Sequence, residues 1–400
     1  MRYVGLDVHK MTVQVCVLDT AGKRVLSESV ACARDDLEKF CRQRLRSDDA
    51  VALEATTNTW AVVDIVGPHV QRVVVSNPMR TKAIAQAKVK TDKVDAEVLA
   101  QLLRCDYLPD VWEPDATTRR LRQLTTVRES LMGDRTRIKN RIQSLLATRL
   151  IRCPYTMLFS KQGIAWLRKL DQKEEDRFVV DTQLQMLTSI DSELVNVDEK
   201  LQREAHDHPQ AKLLMTLPGV SYASALTLLA AIGDVSRFHD GDHLASYLGL
   251  VPSTRQSANR CYHGHITKAG NPHARWMLTQ GVQHMARHPG PLGSFFRRLA
   301  RRKNRQIAII ATARKLVNIA YLMLKHNEPY RYAKPELVNR KYRKIKHTAG
   351  ESVPRRSVRR AYRDICQAEG FSVPSFNELP AGERRMLADT GTEAFARQVL

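Results

Sequence analysis

Four acidic residues carry the strongest chemical signal in the first hundred residues. Asp7 and Glu54 each interrupt a short apolar run, although a charge inside a strand built for burial is costly unless it is paired or binds a cation. Asp92 and Asp95 are spaced i, i+3, which places both on one face of a helix. Carboxylate oxygens suit Mg²⁺ or Mn²⁺, and two such ions about 4 Å apart can activate a nucleophile in phosphoryl transfer. The acids therefore predict a divalent-metal site, against the simpler alternatives of helix N-terminal acids and a strand-end turn residue.

A second candidate site lies in segment 249–271, where Pro, small and hydroxyl residues predict a loop. Three cations flank its serines, Ser253 and Ser257, and are placed to meet a phosphate group: Arg255, Arg260 and Lys268. A serine so placed can form a phosphoserine intermediate, which conserves bond energy between cutting and joining. The alternative from composition is a serine that only hydrogen-bonds a phosphate or caps a helix.

The charge balance makes nucleic acid the first partner to consider. The chain of 400 residues has 64 Lys plus Arg against 42 Asp plus Glu, a formal net charge of +22. So many positive charges repel one another unless a polyanion is bound nearby. An anionic membrane is the weaker alternative, because the basic residues are too dispersed to line one amphipathic helix. Four lysines are predicted to follow a nucleic-acid backbone, with solvated surface lysines as the alternative: Lys10, Lys82, Lys88 and Lys90.

Several classes of protein are disfavoured. Neither G-x-G-x-x-G nor G-x-x-x-x-G-K-[ST] occurs, so dinucleotide and P-loop sites lack their fingerprints. The 7 cysteines are scattered without a C-x-x-C pair, which argues against disulfides and a zinc knuckle. No apolar signal core or uncharged stretch of about 20 apolar residues is present. We therefore expect no membrane association and a cytoplasmic protein; the family resemblance described below implies a bacterial or archaeal, nucleoid-associated one.

The elements that must position the acids follow a recognisable order. Strands are predicted at 3–9, 12–18, 24–30, 51–55 and 72–76, and helices at 35–46, 59–66 and 93–104. Three consecutive strands followed by alternating helices and strands are typical of the ribonuclease H arrangement. A doubly wound fold would instead alternate strand and helix from its first strand. In that arrangement the first and fourth strands are neighbours and the last helix crosses them, so the four carboxylates would converge.

Beyond the first unit the sequence predicts mainly helices. Apolar spacing over 117–205 indicates long helices packed as a hairpin or coiled coil, or a helical spacer. From about 211 a Leu-Pro-Gly-Val turn between helices resembles a helix-hairpin-helix, which presents backbone N–H groups to phosphates. After Pro335 a very basic stretch with few large apolar residues predicts an appended tail, partly ordered at best. The predicted domains are 1–112, 113–210, 211–334 and 335–400.

Together, these segments resemble the insertion sequence one-ten family of transposases, whose members include bridge-RNA-guided recombinases. The resemblance runs in order over about 1–324 and rests on the following stretches: Gly5-Leu6-Asp7-Val8-His9-Lys10, Glu54-Ala55-Thr56, Asn77-Pro78, Lys90-Thr91-Asp92-Lys93-Val94-Asp95-Ala96, Pro218-Gly219 and Gly249-Leu250-Val251-Pro252. Each piece is weak alone, and the combination is specific.

The resemblance implies a RuvC-like domain of the ribonuclease H fold, a coiled coil, and a mainly helical transposase domain with a catalytic serine. Its D-E-D-D metal set matches Asp7, Glu54, Asp92 and Asp95. The serine position matches Ser257, here followed by Ala258 where the family has glycine, and Ser253 is the fallback.

The resemblance also implies a mechanism and partners. Mg²⁺ (or Mn²⁺) held by the acids would polarise the scissile phosphate and help deprotonate Ser257. Arg255, Lys268 or Arg275 would steady the developing charge, or serve as plain phosphate clamps. The expected partners are double-stranded donor and target DNA, a structured guide RNA, and further copies of the chain in a homodimer or homotetramer that supplies acids and serine from different subunits.

Two rival functions remain open at this point. A metal-dependent junction nuclease would use the carboxylates with water as the nucleophile, so that Ser257→Ala leaves cleavage intact. A non-catalytic scaffold for RNA or DNA would explain the charge and the long helices, so that Asp7→Ala changes nothing beyond binding.

Overall fold

The computed structural model describes residues 1–84, 91–170, 173–257, 260–352 and 361–400, and it divides into two compact units, Met1–Pro114 and Asp115–Leu400. Lys88 and Lys90 lie outside the described residues, as do four arginines of the basic stretch: Arg355, Arg356, Arg359 and Arg360.

The first unit is a mixed sheet with helices on both faces. Its elements are β1 (Tyr3–Val8), β2 (Thr12–Leu18), β3 (Arg24–Ala31), α1 (Arg34–Arg44), β4 (Ala50–Glu54), α2 (Thr59–Val66), β5 (Arg72–Ser76), α3 (Pro78–Ile84) and α4 (Asp92–Arg104). The strand order is β3-β2-β1-β4-β5, with β1 antiparallel to β2 and parallel to β4. The predicted order of three strands before an alternating half is confirmed, with α3 as an addition.

Side-chain alternation along the strands creates two separate apolar layers. Val4, Leu6 and Val8 of β1 pack with α1 and α2. Cys16 and Leu18 of β2 instead pack against α4 on the opposite face. Because successive strand residues point to opposite faces, the odd-numbered residues of β1 lie on the α4 side.

The helix α4 contacts the sheet through small residues. Leu99 and Leu103 are buried as predicted, but Val94 and Leu102 are only half-buried. Ala96 and Ala100 form the rest of the buried face. The prediction favoured large apolar residues, whereas a helix that crosses a strand closely needs small ones at the crossing.

The second unit is mainly helical. Its elements are α5 (Ala116–Thr148), α6 (Lys161–Lys169), α7 (Glu174–Asp207), α8 (Pro209–Met215), α9 (Tyr222–Ile232), α10 (Gly241–Tyr247), β6 (Pro252–Ser257), β7 (Arg260–Ile266), α11 (Pro272–Gln283), α12 (Pro291–Arg302), α13 (Arg305–His326), α14 (Pro335–Thr348), α15 (Tyr362–Gln367), α16 (Ala381–Asp389) and α17 (Glu393–Val399). Helices α5 and α7 pack along each other.

Ion pairs show that α5 and α7 run antiparallel. Partner numbers fall along α7 as they rise along α5: Arg120–Glu204, Arg128–Asp198, Arg135–Asp191 and, just past the end of α5, Arg149–Asp176. Ion pairs between helices that remain in contact with solvent add little stability each, so the apolar contacts between the two helices supply most of it. The hairpin among the predicted alternatives matches this packing.

The predicted tail after Pro335 is wrong. Val338, Tyr342 and Ile345 of α14 are buried in the main core of the second unit, and Tyr362 is 1 % exposed. The Tyr362 hydroxyl donates to the Tyr330 carbonyl at 2.6 Å. The stretch is therefore an integral layer of the domain, whose basic residues cover an apolar stripe.

Helix α13 is long and apolar enough to cross a membrane by length and composition, and 56 % of its most apolar window is buried within the chain. Leu316, Val317 and Ala320 are fully buried in the core. Such burial is typical of the core helix of a folded domain, which can be as long and as apolar as a membrane-spanning helix.

Candidate functional site

Two of the predicted carboxylates lie at adjacent positions of neighbouring strands. Asp7 is in β1 and Glu54 ends β4, and the two strands are parallel with Leu6 opposite Leu53. Since Leu6 and Leu53 both face α1 and α2, alternation directs Asp7 and Glu54 to the α4 face. The structure thus brings these two acids to the same side and the same end of the sheet.

The close approach of α4 to β1 brings in the other two acids. A Cβ on Gly5 would lie 1.9 Å from the Ala96 carbonyl oxygen and 2.8 Å from the Ala100 nitrogen, so only glycine allows this crossing. Thr91 caps α4, its hydroxyl accepting from the Val94 N–H at 3.4 Å. Asp92 and Asp95 occupy the first turn of α4, where the helix dipole favours negative charge.

His9 links the strand acid to the helix acid. Its Nε2 lies 3.0 Å from Asp7 Oδ2 and 3.5 Å from Asp92 Oδ1. One ligand atom from each of Asp7, His9 and Asp92 lies within 4.8 Å of the others. The sequence prediction did not include His9 among the site residues, because it lies just past the end of β1, where a histidine looks like any surface residue.

The electrostatics of the cluster centre on Asp7. Burial raises the pKa of the Asp7 carboxyl, His9 opposes that rise, and the negative charges of Asp95 and Asp92 add to it. A half-buried acid beside like charges is stabilised by a cation. The site therefore favours a bound positive charge near Asp7.

The donor set fits a divalent metal ion. Asp7 and Asp92 supply carboxylate oxygens, which suit Mg²⁺ and Mn²⁺, and His9 adds an imidazole nitrogen. Glu54 and Asp95 are half-buried on the same face but are not members of the compact three-residue group. Of the four predicted acids, the structure thus places Asp7 and Asp92 closest together around His9.

The serine segment is a β-hairpin, so its prediction as a loop is wrong. Strands β6 and β7 pair antiparallel, with Arg255 opposite Tyr262 and Ser257 opposite Arg260. Because directly paired residues share a face, these four side chains lie on one exposed face of the hairpin. Polar strands without apolar alternation gave no strand signal in the sequence.

The fallback Ser253 belongs to the same strand but has a close cross-strand neighbour. A Cβ on Gly264 would lie 2.5 Å from Ser253 Oγ, so this hydroxyl rests against the backbone of β7. The two serines thus differ in surroundings, Ser257 lying beside Arg260 at the other end of β6.

The base of the hairpin is held by backbone contacts. A Cβ on Gly249 would lie 2.4 Å from both N and O of Ala269, so the two flanking segments cross at van der Waals distance. Arg275 donates from one nitrogen to the carbonyls of Leu248 at 3.1 Å, Gly270 at 3.4 Å and Ala269. Burial lowers the pKa of Arg275. In this structure Arg275 positions the hairpin, and its direct contact with phosphate stays a prediction.

The other predicted nucleic-acid ligands that the structure describes are exposed. Lys10 follows β1, Lys82 lies on α3, and Lys268 follows β7 with a positive φ of 55°. Exposure permits contact with a nucleic-acid backbone, and their role stays a prediction.

Comparisons with known proteins find two family models that match this chain. A DEDD-type transposase family model matches residues 4–149, which contain all four predicted acids. A second model, described as transposase of the IS116/IS110/IS902 family, matches residues 211–297, which contain the hairpin. The chain belongs to the IS110 family of transposases. Helices α14 to α17 lie outside both matched segments.

Individual relatives of this IS110-family chain cover most of its length. The transposase for insertion sequence element IS1111A of Coxiella burnetii is 24 % identical over 351 residues, 83 % of this chain and 92 % of the relative. The pilin gene-inverting protein of Moraxella bovis is 28 % identical over 345 residues, 82 % of this chain and 97 % of the relative. The chain is thus a DNA-processing enzyme of the transposase and recombinase class, whose DEDD domains typically use a divalent metal.

Proposed function

We propose that this chain cuts and rejoins DNA through a covalent phosphoserine intermediate formed by Ser257. Asp7, Glu54, Asp92 and Asp95 would hold Mg²⁺ or Mn²⁺. The convergence of Asp7, Asp92 and His9 within 4.8 Å is the observation that carries the metal site. A bound divalent ion there would polarise the scissile phosphate.

The serine step follows from ordinary phosphoryl transfer. The Ser257 oxygen forms a bond to phosphorus while the bond from phosphorus to one strand oxygen breaks, and that strand leaves as a hydroxyl after gaining a proton. In the joining step a strand hydroxyl attacks the phosphoserine and releases the serine with its proton. No energy source is consumed, because the phosphoester count is unchanged. Arg255 and Arg260 share the hairpin face with Ser257 and would balance the phosphate charge.

Three structural proposals accompany this mechanism. The strand order β3-β2-β1-β4-β5 with α4 across it supports a RuvC-like, ribonuclease H arrangement in the first domain, 1–112. The antiparallel α5–α7 pair supports a coiled-coil region over 113–210. The serine domain would follow from 211, and it includes 335–400 because α14 packs in the same core.

The proposed partners are donor and target DNA, a structured guide RNA, and one or three further copies of the chain, in the cytoplasm. The net charge of +22 supports polyanionic partners. One relative is named for inverting a pilin gene, which supports a reaction that rejoins the strands it cuts.

The test is an adduct-trapping assay. Purified protein, end-labelled DNA carrying the element's termini, the flanking RNA transcript and Mg²⁺ are incubated and resolved on a denaturing gel. A labelled DNA–protein adduct is expected for the wild type and is lost in both Ser257→Ala and Asp92→Asn. Ser253→Ala is the matched control, since it removes a hydroxyl from the same strand, and it retains the adduct.

Other outcomes would overturn the assignment. Cleavage that survives Ser257→Ala without any adduct identifies a metal-dependent nuclease that uses water. An adduct lost only in Ser253→Ala moves the nucleophile to that serine. Binding without cleavage in any Mg²⁺ or Mn²⁺ condition leaves a scaffold.

A further inference from the structure

A groove in the second unit lies between α14 and the beginning of α9. Its volume is about 560 Å³, and its walls include Ser221, Tyr222, Arg340, Lys344 and His347. Among the described residues, no carboxylate lines it. One wall, formed by Ser221 and Tyr222, lies within the segment 211–297 matched by the second family model. The other wall, formed by α14, begins 38 residues beyond residue 297 and lies outside both matched segments.

Helix α14 has one apolar and one cationic face. Val338, Tyr342 and Ile345 are buried in the core. Three basic residues and one histidine of the groove wall recur at i, i+3, i+4 and i+7, which is one face of a helix: Arg340, Arg343, Lys344 and His347. The fold therefore concentrates positive charge along a single line.

Two of these basic residues have no carboxylate partner among the residues that the structure describes. Lys346, on a different side of α14, contacts Glu369 at 2.6 Å. By contrast, neither Arg340 nor Lys344 forms an ion pair with a carboxylate in the part of the chain that the structure describes. Both side chains are exposed. Neighbouring uncompensated cations repel each other and are stabilised by a polyanion.

The opposite wall suits an anion with an apolar or aromatic contact. Ser221 caps α9, accepting from the Ser224 N–H at 3.3 Å, so the positive end of the helix dipole faces the groove. The Lys344 ammonium lies 5.1 Å from the centroid of the Tyr222 ring, which keeps this cation at the wall of the groove.

The two walls are fixed relative to each other. The Lys341 amine, buried beneath the groove, donates to the carbonyls of Met215 at 2.7 Å and Leu217 at 2.8 Å. The Tyr342 hydroxyl donates to the Lys212 carbonyl at 2.9 Å. Helix α14 is thus held on the turn between α8 and α9, and the cations are arranged before any ligand arrives, which lowers the entropic cost of binding.

We propose that this groove binds the phosphodiester backbone of a nucleic acid, as a contact surface additional to the serine hairpin and the carboxylate cluster. The proposal rests on the proposed function, which supplies DNA and RNA as partners. Phosphate contacts of this kind fix register and orientation without reading sequence.

The experiment measures binding of the full-length chain to a labelled 30-base-pair duplex and, separately, to the flanking RNA transcript, each across a salt series. The test variant is Arg340→Gln/Lys344→Gln. Its matched control is Arg384→Gln/Arg385→Gln, which removes the same charge from exposed positions of α16. Thermal unfolding confirms that both variants fold.

The expected effect follows from counterion release. Each duplex phosphate contact contributes about 0.9 to the slope of log K against log salt, so two lost contacts lower the slope by about 1.8. If the wild type and the variant bind equally at 1 M salt, this difference in slope makes the variant bind about 30-fold more weakly at 0.15 M salt. Loss in the duplex arm alone identifies DNA as the ligand, loss in the RNA arm alone identifies RNA, and loss in both identifies a general backbone contact.

The groove proposal is overturned if the test variant matches its control in both arms. That result leaves the proposed function intact, provided the wild type binds with a steep salt slope and forms the adduct. A wild type without salt-dependent binding to either nucleic acid would overturn the proposed function itself.

Discussion

Replacing Gly5 by alanine tests whether the approach of α4 to β1 builds the carboxylate cluster. The added Cβ would lie 1.9 Å from the Ala96 carbonyl oxygen, and ordinary van der Waals contact begins at 3.4 Å, so α4 must retreat by about 1.5 Å. Overpacking of this kind costs about 1–3 kcal/mol. Because Asp92 and Asp95 lie in the first turn of α4, they move away from Asp7 with the helix.

Two measurements on the full chain report the two consequences. Hydrogen exchange resolved by peptide should show about 5- to 150-fold faster exchange in β1 and α4, the equivalent of 1–3 kcal/mol. Adduct formation with Mg²⁺ should fall about 100-fold, because a displacement near 1 Å of a catalytic group costs that much.

Gly67→Ala is the matched control, since no atom lies within 4 Å of the Cβ it would carry. The backbone there is right-handed helical, with φ −51° and ψ −42°, so alanine is tolerated and adds up to about 1 kcal/mol of stability. If the hydrogen-exchange rates and the adduct yield of Gly5→Ala matched those of Gly67→Ala, the close crossing of α4 and β1 would not be what positions the acids.

Further expectations concern the hairpin clamp, a buried lysine, the metal site and the C-terminal layer. Arg275→Met leaves carbonyls at the hairpin base without their donor and should lower the unfolding free energy by about 1–3 kcal/mol in urea. Burial lowers the pKa of Lys341 to about 7, so above that pH the unfolded chain binds more protons than the folded chain. The unfolding free energy should therefore rise between about pH 7 and the ordinary lysine pKa. Lys341→Met should flatten that rise in urea titrations. Saturating Mn²⁺ should stabilise the wild type by about 2.7 kcal/mol at 100 times its Kd in thermal unfolding, an effect that Asp92→Asn removes and chelation reverses. Truncation before Pro335 uncovers the core beneath α14 and should yield aggregated protein in size-exclusion chromatography.

The strands of the first unit could be predicted because burial imposes a pattern on their residues. The predicted strand 72–76 has the bounds observed for β5, and the predicted strand 3–9 exceeds β1 by a single residue. The charge of Asp7 within such an apolar run led to its prediction as a metal ligand, which stays a prediction. His9 could not be ranked in the same way, because a histidine after a strand is common on any surface and only the distances to Asp7 and Asp92 single it out.

The hairpin and the C-terminal layer escaped prediction for opposite reasons. Strands β6 and β7 are exposed along almost their whole length, so burial leaves no alternation in their sequence. In α14 the apolar spacing of Val338, Tyr342 and Ile345 was present, but the basic residues between them dominated the composition. Long cationic side chains can cover an apolar core with their stems while their charges stay in water.

The residues of the two candidate sites divide into those proposed to react and those that place them. Asp7 depends on Gly5 two residues earlier, and the serine hairpin depends on the crossing at Gly249 and on Arg275. Substituting a placing residue should lower stability and adduct yield together, because the backbone itself must move. Asp92→Asn keeps the shape of an exposed side chain and should lower adduct yield alone. Plotting adduct yield against unfolding free energy for both kinds of variant would separate them, and a single common line would mean that the acids act only through the fold.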